Sequence, residues 1–172
     1  SNKSGISNNN VYNNADSVRY YIKTCLQEEA KQSLFLISLQ GGYYNIPKDY
    51  QFNYKPDGSN DSINAAYYIY DDKLTAISEE ALKKELFTSF KDAVNICTNN
   101  LSIFPYQVDV KPTELSIETS LNKNTVNFKV NLPVTVKVGS ALHNINNFNI
   151  ELKSDFYKIY EAAINLTIEQ YK

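Results

Sequence analysis

Val126-Asn127-Phe128-Lys129-Val130-Asn131-Leu132-Pro133-Val134-Thr135-Val136-Lys137-Val138 is the stretch that decides the fold class. Apolar and polar residues alternate along it, the period of a strand with one buried and one wet face. Val126, Phe128, Val130, Val134 and Val136 form the predicted inward set. Pro133 cannot donate to a ladder, so it belongs at an edge, a bulge or a bend.

The same period extends on both sides. Val108 and Val110 form one strand piece, and Leu115, Ile117 and Thr119 a second, with Leu121-Asn122-Lys123-Asn124 as a hairpin turn. After Val138, residues 139–147 read as a turn-rich connection, and Phe148, Ile150 and Leu152 close the pattern. The expectation is an antiparallel meander from about 106 to 153 with one covered face.

Helical spacing brackets this sheet. Val18, Ile22, Cys25, Leu26, Ala30, Leu34 and Ile37 recur at three and four, predicting a helix from Asp16 or Ser17 to Gln40 that Gly41-Gly42 ends. Leu82, Leu86, Phe90, Ala93, Val94 and Cys97 predict a second helix over 78–99, capped by Ser78. A last helix starts near Ser154, with Phe156, Ile159, Tyr160, Ala163 and Thr167 on one face. Residues 65–70 suit a short strand. The fold class is therefore α+β: an antiparallel β-meander packed against about three helices, in the order α, short β, α, meander, α. Residues 1–15 are polar and read as a flexible stalk, and 16–172 as a single domain.

Composition narrows the function. Seventeen basic against nineteen acidic residues leave a net charge of −2, without the basic patch that nucleic acid requires. No apolar run reaches the roughly 20 residues of a membrane span. The chain contains no Met, so Ser1 is not an initiator, and contact with a membrane is expected only through an N-terminal anchor missing from this sequence.

No catalytic, cofactor or metal site is assigned. His143, the only histidine, falls in the expected polar connection without a partnered nucleophile. Gly41-Gly42 follows a helix instead of opening one, so it is no phosphate loop. Asp71-Asp72 and Glu79-Glu80 are sequence neighbours, whereas carboxylate chemistry needs acids set across a cleft. Cys25 and Cys97 sit on the apolar stripes of two helices; a bridge between them and two buried thiols are both open readings.

Tyrosines supply the one feature with a functional flavour. Tyr43, Tyr44, Tyr50, Tyr54, Tyr67, Tyr68 and Tyr70 lie close together in a segment without regular period. Tyr joins a broad apolar face to a polar tip at little entropic cost, which suits recognition surfaces. Tyr43, Tyr44, Tyr50 and Tyr54 form the candidate binding surface, with Tyr50 and Tyr54 expected to be exposed.

The run from Cys25-Leu26-Gln27-Glu28-Glu29-Ala30 to Leu39-Gln40-Gly41-Gly42-Tyr43, then the helix with Cys97, Leu132-Pro133-Val134-Thr135-Val136 and Lys158-Ile159-Tyr160-Glu161-Ala162-Ala163, resembles a family of uncharacterised archaeal surface proteins from small-genome, symbiotic lineages. Members look like proteins with an N-terminal pilin-like membrane anchor and an extracellular domain. The resemblance implies an outward-facing location and, with it, a Cys25–Cys97 disulfide. The functional expectation is a non-enzymatic extracellular, cell-surface module of a membrane-anchored archaeal protein, for adhesion, surface assembly or recognition of a protein or glycan. The alternatives are an enzyme built from scattered Tyr, Asp, Glu and Lys, or a purely structural spacer.

Overall fold

The computed structural model describes residues 15–172 apart from 56 and 59. Residues 1–14 of the expected stalk lie outside this range. Helix α1, Ala15–Leu39, buries Val18, Ile22, Leu26, Ala30, Leu34 and Ile37 as one stripe. Its end follows from glycine: Gly41 and Gly42 have φ of 73° and 94°, and the Gly42 N–H donates back to the Ile37 carbonyl at 2.8 Å. Helix α2, Glu79–Thr98, starts at Ser78, whose hydroxyl accepts from the Ala81 N–H at 3.2 Å. Its stripe runs from Leu82 to Cys97. Cys25 and Cys97 are joined in a disulfide, with 5.7 Å between the Cα atoms.

Among the described residues there are eight strands, β1 to β4 between the two helices and β5 to β8 after α2: β1 Gln51–Tyr54, β2 Ile63–Ala66, β3 Ile69–Tyr70, β4 Lys73–Leu74, β5 Gln107–Val110, β6 Ser116–Asn122, β7 Thr125–Val138 and β8 Ala141–Lys153. The main sheet is β5 to β8, antiparallel throughout. β8 runs along one edge of β7, and β6 and β5 lie end to end along the other, pairing Asn122 to Ser116 and Val110 to Gln107 with successive parts of β7. The break between β5 and β6 is a 3-10 turn at Pro112–Glu114, opposite Pro133. There the Pro133 carbonyl still accepts from the Lys111 N–H at 3.0 Å, while the β7–β8 register shifts between Asn131 and Val134. Pro133 thus occupies a bulge in the central strand, because the ring leaves no N–H to keep the ladder regular.

The expected inward residues Val126, Phe128, Val130, Val134 and Val136 are all buried beneath the helices, joined by Leu132. At the centre, Phe90 of α2 stacks on Phe128 of β7 at 4.2 Å with an interplanar angle of 11°. The outer face carries Ser116, Glu118, Ser120, Asn127, Lys129, Asn131, Asn147 and Asn149.

Two sequence expectations need correction. Residues 141–147 are strand, not connection: Gly139-Ser140 turns the chain alone, with Gly139 at φ 62°, and His143 lies in β8 opposite Val136. The polar Asn run had masked a strand whose outer face needs no apolar residue. Helix α3, Phe156–Tyr171, buries only Phe156 and Thr167, and Ile159 is exposed. It is held by tyrosine hydroxyls: Tyr157 donates to Glu79 Oε2 at 2.7 Å, Tyr160 to the Ile77 carbonyl at 2.9 Å and Tyr171 to the Asp72 carbonyl at 2.9 Å.

Candidate functional site

The segment between α1 and α2 is built from two small hairpins, more regular than its sequence suggests. Its entry is fixed by Glu85 on α2, whose Oε2 accepts from the backbone N–H groups of Tyr44 and Asn45 at 2.8 and 2.9 Å. β1 pairs with β2, setting Phe52 opposite Ala65 and Tyr54 opposite Ile63 on one face. β3 and β4 are joined by Asp71-Asp72, both left-handed at φ 51° and 54°. Consecutive positive φ is the I′ hairpin turn, and Asp tolerates it better than most residues. These acids therefore serve the turn.

The tyrosines divide by role. Tyr43 is buried, and its ring meets that of Tyr50 edge-on at 6.3 Å. Burial, followed by the hydrogen bond with Tyr50, pushes the Tyr43 hydroxyl pKa far above its ordinary value. Tyr44 lies over α2 and donates to Asp92 Oδ2 at 3.0 Å, at one wall of an open groove of about 610 Å³ between α1 and α2. Tyr50 and Tyr54, expected to be exposed, are both half-buried: Tyr50 packs on Tyr43, and Tyr54 donates to the Leu39 carbonyl at 3.3 Å. The local polarity of Lys, Gln, Asn and Asp around them marked the strand's other face, which alternation hides in a short hairpin.

Exposure falls instead on rings further along. Tyr54, Phe52, Tyr67 and Tyr70 form a continuous aromatic row with successive centroid separations of 5.9, 4.6 and 5.7 Å. Tyr67 and Tyr70 at its end are 40% and 45% exposed. The row is held from behind: the Tyr67 carbonyl accepts from Thr75 Oγ1 at 2.6 Å, and the Tyr67 N–H donates to the Tyr50 carbonyl at 2.8 Å. Of the four expected surface tyrosines, only Tyr54 joins it. Phe52 could have been found from its spacing of two from Tyr54, and Tyr67 and Tyr70 from the Asp-Asp turn that follows them.

This surface offers stacking faces and phenol hydroxyls. Among the described residues, no three His, Cys, Asp or Glu side chains gather as metal ligands would. The expectation of a membrane-anchored protein is corrected: among the described residues no helix is long and apolar enough to cross a membrane. No protein-family model, curated protein or solved structure matches the chain.

Proposed function

We propose that this domain is a non-enzymatic recognition module that binds carbohydrate through the Tyr54–Phe52–Tyr67–Tyr70 row, in an oxidising, extracellular setting. The observation that carries the reading is the row itself: four rings in contact, exposed at the Tyr67–Tyr70 end and braced by backbone hydrogen bonds. Sugar rings present C–H faces that stack on aromatic rings, and their hydroxyls suit phenol partners. Preorganised tyrosines lose little entropy on contact. A row of exposed stacking faces suits a glycan chain better than a small substrate that must be enclosed.

The Cys25–Cys97 disulfide supports the setting, since such bridges persist outside reducing cytosol. The resemblance to archaeal surface proteins points the same way. A glycan array probed with the oxidised domain tests the proposal: retention on a defined subset of surface glycans is expected, and no retention on any glycan would overturn it.

A further inference from the structure

Helix α3 is held by little burial. Of its 16 residues only Phe156 and Thr167 are buried, and tyrosine hydroxyls supply further ties to the domain. Helices in proteins are stabilised mainly by packing one amphipathic face, so a helix this long with two buried residues has packing left unmade. Ile159 and Leu166 are 68% and 65% exposed. Seven residues are close to two turns, so these two stand on one stripe, with Ala162 and Ala163 between them. Charges border the stripe on its solvent flank. Lys158 and Glu169 are eleven residues apart, about three turns, and therefore share that flank. Each is paired along its own chain, Lys158 with Asp155 at 2.9 Å and Glu169 with Lys172 at 3.0 Å. The other flank carries Tyr160 and Thr167 and faces the domain. Glu161, the remaining charge on the helix, lies near Tyr157 on the far side.

We infer that α3 is a self-association surface, on which α3 of a second copy of the chain packs antiparallel about a two-fold axis beside Ala163. The order of charges selects a copy of the chain. From N- to C-terminus the flank reads acid, base, acid, base: Asp155, Lys158, Glu169, Lys172. Reversed, it reads base, acid, base, acid, so every charge meets its opposite. Lys158 faces Glu169 of the partner subunit, and Asp155 faces Lys172 of the partner subunit, each twice by symmetry. Self-pairing alone does not produce this match, since the order acid, base, base, acid would set like charges together. The same register seats Ile159 against Leu166 of the partner subunit, and the two alanines at the crossing let the helix axes come close. A parallel pair would turn the charged flank toward the side of the partner helix that its own domain already occupies.

Sedimentation of the full chain over a concentration series tests the inference, with a charge swap on the flank. Wild type is expected to reach twice the monomer mass. Lys158→Glu sets like charges together twice across the axis and should weaken dimerisation about tenfold. Adding Glu169→Lys makes the charges opposite again and should restore the dimer. A wild type that stays monomeric at the highest soluble concentration, a dimer indifferent to Lys158→Glu, or a double variant no tighter than the single one would each overturn the inference. So would a monomer that instead captures an added amphipathic helical peptide. Should Lys158→Glu unfold by circular dichroism, deuterium uptake of wild-type residues 156–171 decides: a fall with rising concentration supports the two-fold pairing, and no change overturns it.

Discussion

Cys25 and Cys97 tie the middle of α1 to the last turn of α2, 72 residues apart in sequence. Both helices also pack against each other and onto the sheet, so the bond adds mainly by restricting the unfolded chain. In the chain-entropy description a loop of this size contributes about 4 kcal/mol. The double variant Cys25→Ser, Cys97→Ser should therefore lose about that much in urea unfolding, and reductant should reproduce the loss in wild type. Equal midpoints with and without reductant would show that the bridge is energetically idle.

Phe128 is the bulkiest side chain on the buried face of β7. It is 1% exposed and stacked on Phe90, so Phe128→Ala should cost about 3–5 kcal/mol. Lys129→Ala, on the wet face of the same strand, should stay within about 0.5 kcal/mol. Chemical denaturation of the two variants compares the faces directly.

Gly42 is restricted twice over. Its φ is 94°, and an added Cβ would stand 2.7 Å from Ile77 Cγ2. Gly139 shares the positive φ but has nothing within 4 Å of such a carbon. Gly139→Ala should cost about 1–2 kcal/mol for backbone strain alone. Gly42→Ala should cost clearly more, because a buried isoleucine must also shift. Thermal melts of both variants would show the difference, and equal losses would assign the whole cost to backbone.

Tyrosines set the alkaline limit. Burial raises the pKa of Tyr43 and Tyr68, and Tyr157 is pushed up to about 12, first by its hydrogen bond to Glu79. A raised folded pKa means tighter proton binding in the native state. The stability involved is complete below the ordinary tyrosine value near pH 10 and is lost as pH climbs through the folded values. Glu79 behaves oppositely: Lys83, then Tyr157, lowers its pKa, so its contribution is present above the usual carboxylate range and fades as pH falls through the lowered value. That contribution is small because the Glu79–Lys83 pair is solvated. Melting temperature against pH should fall steeply above pH 10. Tyr157→Phe should soften that fall and remove part of the Glu79 effect at low pH.

The legible parts of the fold were those with a strong period and a covered face. Val126 to Val136 and the stripes of α1 and α2 announced themselves because burial selects apolar residues at fixed spacing. Residues 141–147 were hidden because only Ile145 among them is buried, leaving alternation nothing to mark. Helix α3 misled for the opposite reason: Ile159 sits on an apolar face that the domain leaves uncovered, and hydroxyl groups hold the helix instead. In the aromatic segment the composition pointed to the right region, but the face of each ring depends on the β1–β2 register, which no residue pattern in so short a hairpin fixes.

The most direct measurement is calorimetric titration of the strongest array-selected glycan into wild type and into the Tyr67→Ala, Tyr70→Ala double variant, at matched melting temperatures. Each exposed ring contributes about 0.5–1.5 kcal/mol of stacking. The account expects a dissociation constant raised about tenfold or more by the double substitution, with Tyr44→Phe in the α1–α2 groove binding like wild type. Unchanged affinity in the double variant, with its fold intact, would contradict a recognition surface at the Tyr54–Phe52–Tyr67–Tyr70 row.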